Sequence, residues 1–331
     1  MYNMRTPFSH PTKGKAFEKQ RTDTMINVFI DGGAGTTGLN IVARLSQRQD
    51  IQLITLPEET RKDPTARKDA LNAADVAFLC LPDDAAREAA AMIENDHTAV
   101  IDTSTAHRTS PDWVYGFPEL QGQREKIKSG KRIANPGCHA SGFIALVAPL
   151  VQSKAIAPDI ALTCFSLTGY SGGGKKMIAE YEGEGRSPLL SAPRQYGLNQ
   201  NHKHLPEMKV LCGLDTAPIF CPIVAPYYAG MEVTVPLFAG QVKTSIEEIK
   251  AVYQAYYAQG AVHFVEETGE GNFLSACAFA GRDDMEITVS GNEERILLTA
   301  RFDNLGKGAC GAAIQNMNLL TGADEFTGLV V

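Results

Sequence analysis

The feature that most constrains the fold is a glycine-rich segment that joins a short apolar run to an amphipathic one. The run INVFI at residues 26–30 is typical of a strand buried on both faces, and DGGAGTTGLNIVARLSQR follows it directly. Gly33, Gly35 and Gly38 have the spacing G-x-G-x-x-G, which allows a tight turn, close approach to a pyrophosphate and close packing of the helix. This context predicts a dinucleotide site at the start of the helix.

The alternation of strand and helix patterns continues along the first half of the chain. Further strand-like runs stand at 51–56 (IQLITL), in DVAFLCLP and at 98–104 (TAVIDTS), with the helical segment DDAAREAAAMIEN between the last two. A right-handed βαβ series of this kind builds a parallel sheet. We therefore expect an α/β protein with a Rossmann-like, dinucleotide-binding domain over residues 25–138, completed by a C-terminal helix within 308–331.

The end of the second strand leaves the choice of dinucleotide open. An acidic residue there favours NAD, and a nearby arginine accommodates the additional phosphate of NADP. This chain has both, because Glu58 and Glu59 are followed by Arg61 and Lys62.

After residue 139 the pattern changes to longer strands and a few separate helices. Strand-like runs such as ALTCFSLTG and MEVTVPLF are followed by a predicted hairpin around Gly291 and Asn292, and TSIEEIKAVYQAYYAQG reads as one amphipathic helix. We expect an α+β domain with a mainly antiparallel sheet over 139–307, which carries substrate and oligomer contacts. Residues 1–24 are expected to be a disordered leader, an artificial extension or an extended start.

Charge and cysteine content limit the class of partner. The 331 residues include 38 acidic and 31 basic side chains, a net charge of −7, which offers no general attraction for nucleic acid or an anionic membrane. No run of about eighteen apolar residues occurs that could span a bilayer. Seven cysteines without a C-x-x-C pair indicate a reducing, cytoplasmic setting. A small molecule is therefore the expected partner.

The candidate nucleophile is Cys138, in RIANPGCHASGFIALVAPL. Pro136 and Gly137 predict a turn, and the apolar spacing that follows predicts a helix that begins near the cysteine. Free N–H groups and the helix dipole lower a thiol pKa, so we expect an exposed, ionised sulfur. His139 is adjacent, but neighbouring helix residues do not face each other, so it is a poor base for this thiol.

Other polar segments could assist such a nucleophile. NHKHLPEM supplies His202, His204 and Glu207, of which one histidine is expected to act as acid or base. A metal site is the alternative for these histidines, but no further Cys/His pair stands at ligand spacing, so we expect no metal.

Two loops could hold an anion. The segment SLTGYSGGGKK at 166–176 includes Gly169, Ser171 and Lys175, whose N–H groups and ammonium could hold an oxyanion or phosphate. DTSTAHR follows a strand end and offers Ser104 and Arg108, and a guanidinium grips phosphate through two hydrogen bonds.

Together these segments resemble the N-acetyl-γ-glutamyl-phosphate reductase family, and the similarity runs from about Met25 to the end. Seven segments in the same order carry it: GGAGTTG, DTSTAHR, YGFPEL, ANPGC, TGYSGGGK, HKHLPE and DNLGKGA…QNMN. The resemblance implies NADP(H)-dependent reduction of an acyl phosphate in arginine biosynthesis, with inorganic phosphate released, by a homodimer or homotetramer.

The family's residue roles carry over to the matching positions. Cys138 is then the nucleophile and His202 the acid/base, with His204 and Glu207 in support. Ser104 and Arg108 are implied to hold substrate, and the first loop has Thr36 and Thr37 as in the shorter form of the family. The late N-x-x-K-G-A turn places Asn304 and Gly308 near the nicotinamide. The chain departs from the family after the nucleophile, where His139, Ala140 and Ser141 replace the more frequent Tyr-Pro-Thr.

Two other functions remain open at this point. One is an acyl-phosphate reductase of the same mechanism with another substrate, such as aspartate-semialdehyde dehydrogenase. The other is a regulator that binds NADP without catalysis, which would have no use for a reactive Cys138.

Overall fold

A parallel six-stranded sheet forms the first half of the protein. The structure, a computed structural model, describes residues 25–331, so the predicted leader at residues 1–24 lies outside the described residues. All neighbouring strands of this sheet run parallel, in the order β2-β1-β3-β4-β6-β5, which confirms the Rossmann-like part of the predicted fold class. The strands are β1 Ile26–Asp31, β2 Ile51–Ile54, β3 Val76–Leu79, β4 Ala99–Asp102, β5 Val114–Tyr115 and β6 Arg132–Ala134.

Helices cover both faces of this sheet, because its central strands are apolar on both sides. They are α1 Thr36–Leu45, α2 Pro64–Ala73, α3 Asp83–Ala91 and α4 Gln123–Ser129, together with the last helix of the chain, α9 Gly311–Thr321. Ile314 and Met317 of α9 belong to the same buried cluster as Val28 and Ile101 of the sheet. The C-terminus thus returns to the first half, with a helix shorter than the predicted segment 308–331.

The second half is built on a seven-stranded sheet of mixed direction. Its order is β11-β12-β13-β10-β7-β9-β8, in which β7 pairs with β9, and β11 with β12, in parallel, while the other neighbours are antiparallel. This confirms a mainly antiparallel sheet, including the hairpin of β12 and β13. The strands are β7 Thr163–Gly169, β8 Arg194–Gln195, β9 Ile219–Ala225, β10 Met231–Phe238, β11 Val262–Phe264, β12 Met285–Gly291 and β13 Arg295–Phe302.

One face of the second sheet forms the main core, and the opposite face is open at Phe165, Ile219 and Leu297 but buried at Thr299 and Arg301. The helices of this half are α5 Cys138–Gln152, α6 Gly174–Glu182, α7 Leu205–Cys212 and α8 Ile246–Tyr256. Residues 139–150 of α5 are all buried, because the helix lies between the sheet and its neighbouring helices. None of the helices in the described part of the chain combines the length and apolar character needed to cross a membrane.

A buried polar network ties the two halves together. Lys307 is fully buried, and its ammonium lies 2.7 Å from Glu119 and 2.6 Å from the Gln315 amide oxygen. Glu119 also accepts from the backbone N–H of Ala261, which belongs to the second half. These contacts join the two halves of the protein. The predicted domain boundaries at residues 138 and 307 stay predictions.

Candidate active site

The glycine loop turns at a residue that precedes the three glycines of the motif. Gly32 has a φ of +83°, and a Cβ there would overlap the carbonyl group of Cys80, the residue after β3. The first of the two adjacent glycines therefore makes the sharp turn. Gly32 lies outside the G-x-G-x-x-G spacing and was not predicted, although the doubled glycine after Asp31 was the available signal.

The start of α1 fits a bound phosphate group. Gly35 is the N-cap and supplies no side-chain cap, and no acidic residue lies in the first turn. The buried hydroxyl of Thr36 has no hydrogen-bond partner among the described residues. Free N–H groups, the helix dipole and an unpartnered hydroxyl together suit the pyrophosphate of a dinucleotide.

Two cavities lie on either side of this loop. The one beside Gly33 measures about 510 Å³ and is also lined by Asp31, Arg61, Lys62 and Arg67. The other measures about 340 Å³ and is lined by Thr36 and Thr37 together with residues of the second half. The predicted glycine-loop residues therefore stand between a basic cavity and the cavity that holds the candidate nucleophile.

Cys138 is the first residue of α5 and lines the smaller cavity, as the sequence predicts. Its side chain is half-buried, and Gly308 lies against it, since a Cβ on Gly308 would be 3.0 Å from the cysteine Cβ. The expected lowered pKa is wrong for this state: burial raises the pKa of Cys138 to about 11, although the His139 N–H and the Arg108 charge act in the opposite direction. The sulfur is poised at a helix start, but it is a thiol rather than a thiolate.

This value gives a prediction for alkylation. Only the thiolate reacts, so iodoacetamide should label Cys138 slowly at pH 7, where about one thiol in 10⁴ is ionised if the pKa is about 11. The rate should rise about tenfold per pH unit up to about pH 10. Mass spectrometry of the labelled peptide measures it, with the exposed Cys277 as internal reference. A rate that levels off below pH 8 would contradict the raised pKa.

Glu207 shapes the turn before the nucleophile. Its carboxylate accepts from the Gly137 N–H at 2.8 Å, from the Tyr115 hydroxyl at 2.6 Å and from Arg108 at 3.2 Å. A Cβ on Gly137 would lie 2.5 Å from His204 Nε2 and would also overlap the Arg108 guanidinium. Only glycine therefore fits at residue 137. Glu207 positions the turn before the nucleophile and the Arg108 guanidinium through its hydrogen bonds, and it has no bond to either predicted histidine.

The two predicted histidines line the same cavity, with their ring centroids 4.7 Å apart. The His204 N–H donates to His202 Nδ1 at 3.2 Å, and the buried Nδ1 of His204 has no partner among the described residues. Burial, and then the charge of Lys203, lowers the pKa of His202; burial, with Arg108 the next largest cause, lowers that of His204 well below its ordinary value. Both rings are therefore neutral at pH 7 in this state.

The departure at His139 builds a contact that the sequence analysis missed. His139 is buried and bonds to the Ser166 hydroxyl at 2.7 Å and to the Tyr196 hydroxyl at 2.8 Å. Burial, and then the neighbouring His202, lowers the pKa of His139 to about 3. Tyr196 also lines the cavity, so this neutral histidine fixes its hydroxyl there.

The cavity wall carries positive charge and no carboxylate. Arg108 and Lys203 line it, and no aspartate or glutamate does. Gly169, Ser171, Asn304 and Gly308 of the predicted set also line it, and the Asn304 amide donates to Ser171 at 2.9 Å. Such a wall suits an anionic ligand.

Two predicted substrate residues are not in this wall. The Ser104 hydroxyl donates to the Asp102 carboxylate at 2.8 Å, so it is used inside its own turn. Lys175 is exposed on the first turn of α6, while its neighbours Gly173 and Gly174 line the cavity. Lys203, which the sequence analysis did not single out, lies there instead. No group of three or more His, Cys, Asp or Glu residues within 25–331 could hold a metal ion.

Comparisons with known proteins agree with this architecture. Residues 27–130 match the family model "Semialdehyde dehydrogenase, NAD binding domain", and residues 138–304 match "Semialdehyde dehydrogenase, dimerisation domain". The site therefore serves a nicotinamide dinucleotide. Among solved structures, aspartate semialdehyde dehydrogenase II of Vibrio cholerae in complex with ASA has a TM-score of 0.69 at 16% identity, over 90% of this chain and 99% of that one. At that identity the similarity shows the fold alone.

Curated relatives narrow the family further. N-acetyl-gamma-glutamyl-phosphate reductase 2 of Pseudomonas putida (strain KT2440) is 46% identical over 314 residues, which cover 91% of this chain and 98% of the relative. N-acetyl-gamma-glutamyl-phosphate reductase of Brucella ovis is 46% identical over 305 residues, which cover 89% of this chain and 98% of the relative. With a cysteine at a helix start facing a dinucleotide loop across one cavity, this chain belongs to the N-acetyl-γ-glutamyl-phosphate reductase family.

Proposed function

We propose that this protein reduces N-acetyl-γ-glutamyl phosphate to N-acetylglutamate semialdehyde, with NADPH as reductant and inorganic phosphate as second product. One observation carries the proposal. The Cys138 thiol, the start of the glycine-loop helix at Thr36 and the cations Arg108 and Lys203 line a single cavity that contains no carboxylate. In such a cavity an anionic acyl group and a reductant can bind together beside the sulfur nucleophile.

The chemistry of the chain's own residues begins with the thiol. His202 accepts the Cys138 proton at Nδ1, which gives up the hydrogen bond that it accepts from the His204 backbone N–H in the resting site. The sulfur attacks the acyl carbon, and the C–O bond to phosphate breaks with its electron pair leaving on phosphate. His202 passes the proton to the departing phosphate, and a thioester remains on Cys138. Because the resting thiol has a raised pKa, this base is required, and the anionic substrate raises the basicity of both neutral histidines.

The remaining residues stabilise charge and release the product. Arg108, Lys203 and the N–H groups of the loop at 171–174 face the phosphate or the developing oxyanion. A bound nicotinamide supplies the hydride that reduces the acyl group. The C–S bond then breaks, the aldehyde forms, and His202 returns a solvent proton to the Cys138 thiolate.

The reverse reaction tests this function. N-acetylglutamate semialdehyde should reduce NADP⁺ only when inorganic phosphate is present, and aspartate semialdehyde should serve far less well. Absorbance of the reduced cofactor measures both reactions. Equal rates with the two aldehydes, or rates independent of phosphate, would overturn the proposed substrate. Nucleotide binding without any turnover would favour the regulator.

We propose NADP rather than NAD because of the basic cavity. Arg61 and Lys62 line it, whereas Glu58 and Glu59 do not. Arg61 also forms an exposed ion pair with Glu58 at 2.9 Å, and Arg67 is held by Asp31 at 2.8 Å. Of the two charge pairs that left the choice open in sequence, only the basic pair lines this cavity, which supports NADP as the cofactor.

Replacement of both basic residues gives a prediction on cofactor preference. The double variant Arg61→Ala and Lys62→Ala should lower kcat/KM for NADPH about 10- to 100-fold and leave that for NADH unchanged, since it removes charge-assisted bonds to the 2′-phosphate. Steady-state kinetics with each cofactor measure this, and Lys68→Ala, outside the cavity, is the control. Equal losses with both cofactors would contradict the assignment.

We also propose a homodimer or homotetramer that covers the open face of the second sheet. Phe165, Ile219 and Leu297 lie on this face and are 41%, 61% and 42% exposed. An exposed apolar sheet face of this kind marks an association surface.

The cysteine pattern supports a cytoplasmic location.

Lysines on that face should separate the subunits. The double variant Phe165→Lys and Leu297→Lys introduces two positive charges per subunit into this apolar surface, where association would bury them without counter-charges, so the particle mass should fall to that of one chain. Light scattering after size exclusion measures the mass. Phe273→Lys, at an exposed residue outside the sheet, should leave it unchanged. An unaltered mass of the double variant would place the interface elsewhere.

A further inference from the structure

The turn that carries Arg108 is organised by a buried carboxylate that does not face the cavity. Asp102 ends β4 and is fully buried. Its carboxylate accepts from the Ser104 N–H at 2.9 Å, from the Ser104 hydroxyl at 2.8 Å and from His107 Nδ1 at 2.6 Å. Because a carboxylate only accepts, His107 must carry a proton on Nδ1. Three donors thus fold residues 104–107 around one carboxylate.

The only tryptophan in the chain covers one face of the His107 imidazole ring. Trp113 stacks on the imidazole with centroids 3.9 Å apart and planes at 10°, and it is largely buried in the first half. The Arg132 guanidinium lies 5.8 Å from the same indole ring. The imidazole therefore has one partner on its ring face and another on its Nδ1 edge, which leaves its orientation little freedom.

Arg108 follows directly and is held at three points. Its Nε donates to the Asn135 carbonyl at 2.9 Å, Nη2 to the Thr103 carbonyl at 3.1 Å and Nη1 to Glu207 at 3.2 Å. A guanidinium has five N–H donors, so two have no partner among the described residues. Both Thr103 and Arg108 line the cavity, so the free donors can serve an anion there.

We propose that Asp102 and His107 are positioning residues, which fix the 102–108 turn so that the free donors of Arg108 meet the substrate's anionic group. The inference rests on the proposed function for the identity of that group. It differs from the roles assigned above, because neither residue touches the cavity and Ser104 contributes through Asp102 instead of through substrate. A shift of about 1 Å in a binding group suffices to cost up to about a hundredfold.

Inorganic phosphate is the probe, and Trp113 is the reporter. Phosphate binding to Arg108 should change the emission of Trp113, because His107 links the turn to the indole, and Arg108→Ala should abolish the change. His107→Phe keeps the stacked ring but loses the bond to Asp102, so its phosphate affinity should fall about 10- to 100-fold. His107→Asn can place an amide N–H where Nδ1–H lies and should restore most of the affinity.

Kinetics provide the second readout. Asp102→Asn and His107→Phe should raise KM for the acyl phosphate about 10- to 100-fold, with little change in KM for NADPH. Combined with Arg108→Ala, neither should add much further loss, because each acts through that arginine. Thr105→Val is the matched control, since Thr105 lies in the same turn but bonds to Asp83.

The outcomes separate this inference from the proposed function. Loss that is additive with Arg108→Ala, or unchanged phosphate affinity in folded His107→Phe or Asp102→Asn, would each overturn the positioning role. Absence of wild-type activity with N-acetylglutamate semialdehyde would instead sink the proposed substrate, while the fluorescence titration would still decide the role of Asp102 and His107.

Discussion

Replacement of Cys138 by serine should reduce turnover by about 10⁴-fold or more and leave dinucleotide binding within about threefold. A serine hydroxyl ionises far less readily than a thiol and forms an ester in place of the thioester. The smaller oxygen makes no clash with Gly308, which lies against the Cys138 Cβ. The glycine loop, whose helix start fits the pyrophosphate, is formed by other residues and stays intact.

The measurement pairs an activity assay with a binding titration. Steady-state rates give the loss in turnover, and the quench of protein fluorescence on addition of NADPH gives its affinity. Cys277→Ser is the control, because Cys277 is exposed and lies outside the wall of the active-site cavity. Activity of Cys138→Ser within tenfold of the wild type would refute covalent catalysis at this residue.

Loss of the carboxylate of Glu119 should lower the free energy of unfolding by about 3–5 kcal/mol. Burial by itself would raise the pKa of Glu119, but the Lys307 ammonium, with hydrogen bonds from Gln315 and the Ala261 N–H, outweighs it and lowers that pKa. Glu119→Ala leaves the fully buried Lys307 without its counter-charge and also opens the junction between the two halves.

Urea unfolding followed by circular dichroism measures this cost. The matched control is Glu125→Ala, which breaks the exposed ion pair with Lys128 and should change stability by less than about 1 kcal/mol. Because the pKa of Glu119 is lowered in the folded state, its contribution is present at neutral pH and is lost as the pH falls below the pKa of an unfolded glutamate. A loss below about 1 kcal/mol in Glu119→Ala would show that Lys307 finds another partner.

Local sequence patterns were sufficient to predict the glycine loop, the helix that begins at Cys138 and the candidate nucleophile itself. The turn residues Pro136 and Gly137 and the apolar spacing after them predict a helix that begins at Cys138, and the structure has that helix. The glycine loop is likewise a local pattern between a strand and a helix. Such features depend on neighbours in sequence, so one chain is enough to find them.

Contacts between distant segments could not be found in this way. Glu207 looked like part of an acid–base group, but the fold brings its carboxylate to the Gly137 N–H, 70 residues away in sequence. Ser104 looked like a substrate ligand, but Asp102 takes its hydroxyl. The partner of Glu207 is not implied by spacing, because it depends on how the first turn of α7 meets the start of α5. The partner of Ser104 lies only two residues away, but the sequence does not show that the hydroxyl turns to this carboxylate instead of a ligand.

The sulfur of Cys138 shows the same division most clearly. The amino-acid order alone determined that this thiol stands at a helix start, near a predicted dinucleotide loop, in a chain whose composition suits a small-molecule enzyme. Only the tertiary structure decided its ionisation, because the pKa depends on how much water the packed helices and the Gly308 turn exclude. It also decided which cations line the cavity and which buried pair, Glu119 and Lys307, holds the two halves together, since burial and long-range contact exist only in the folded chain.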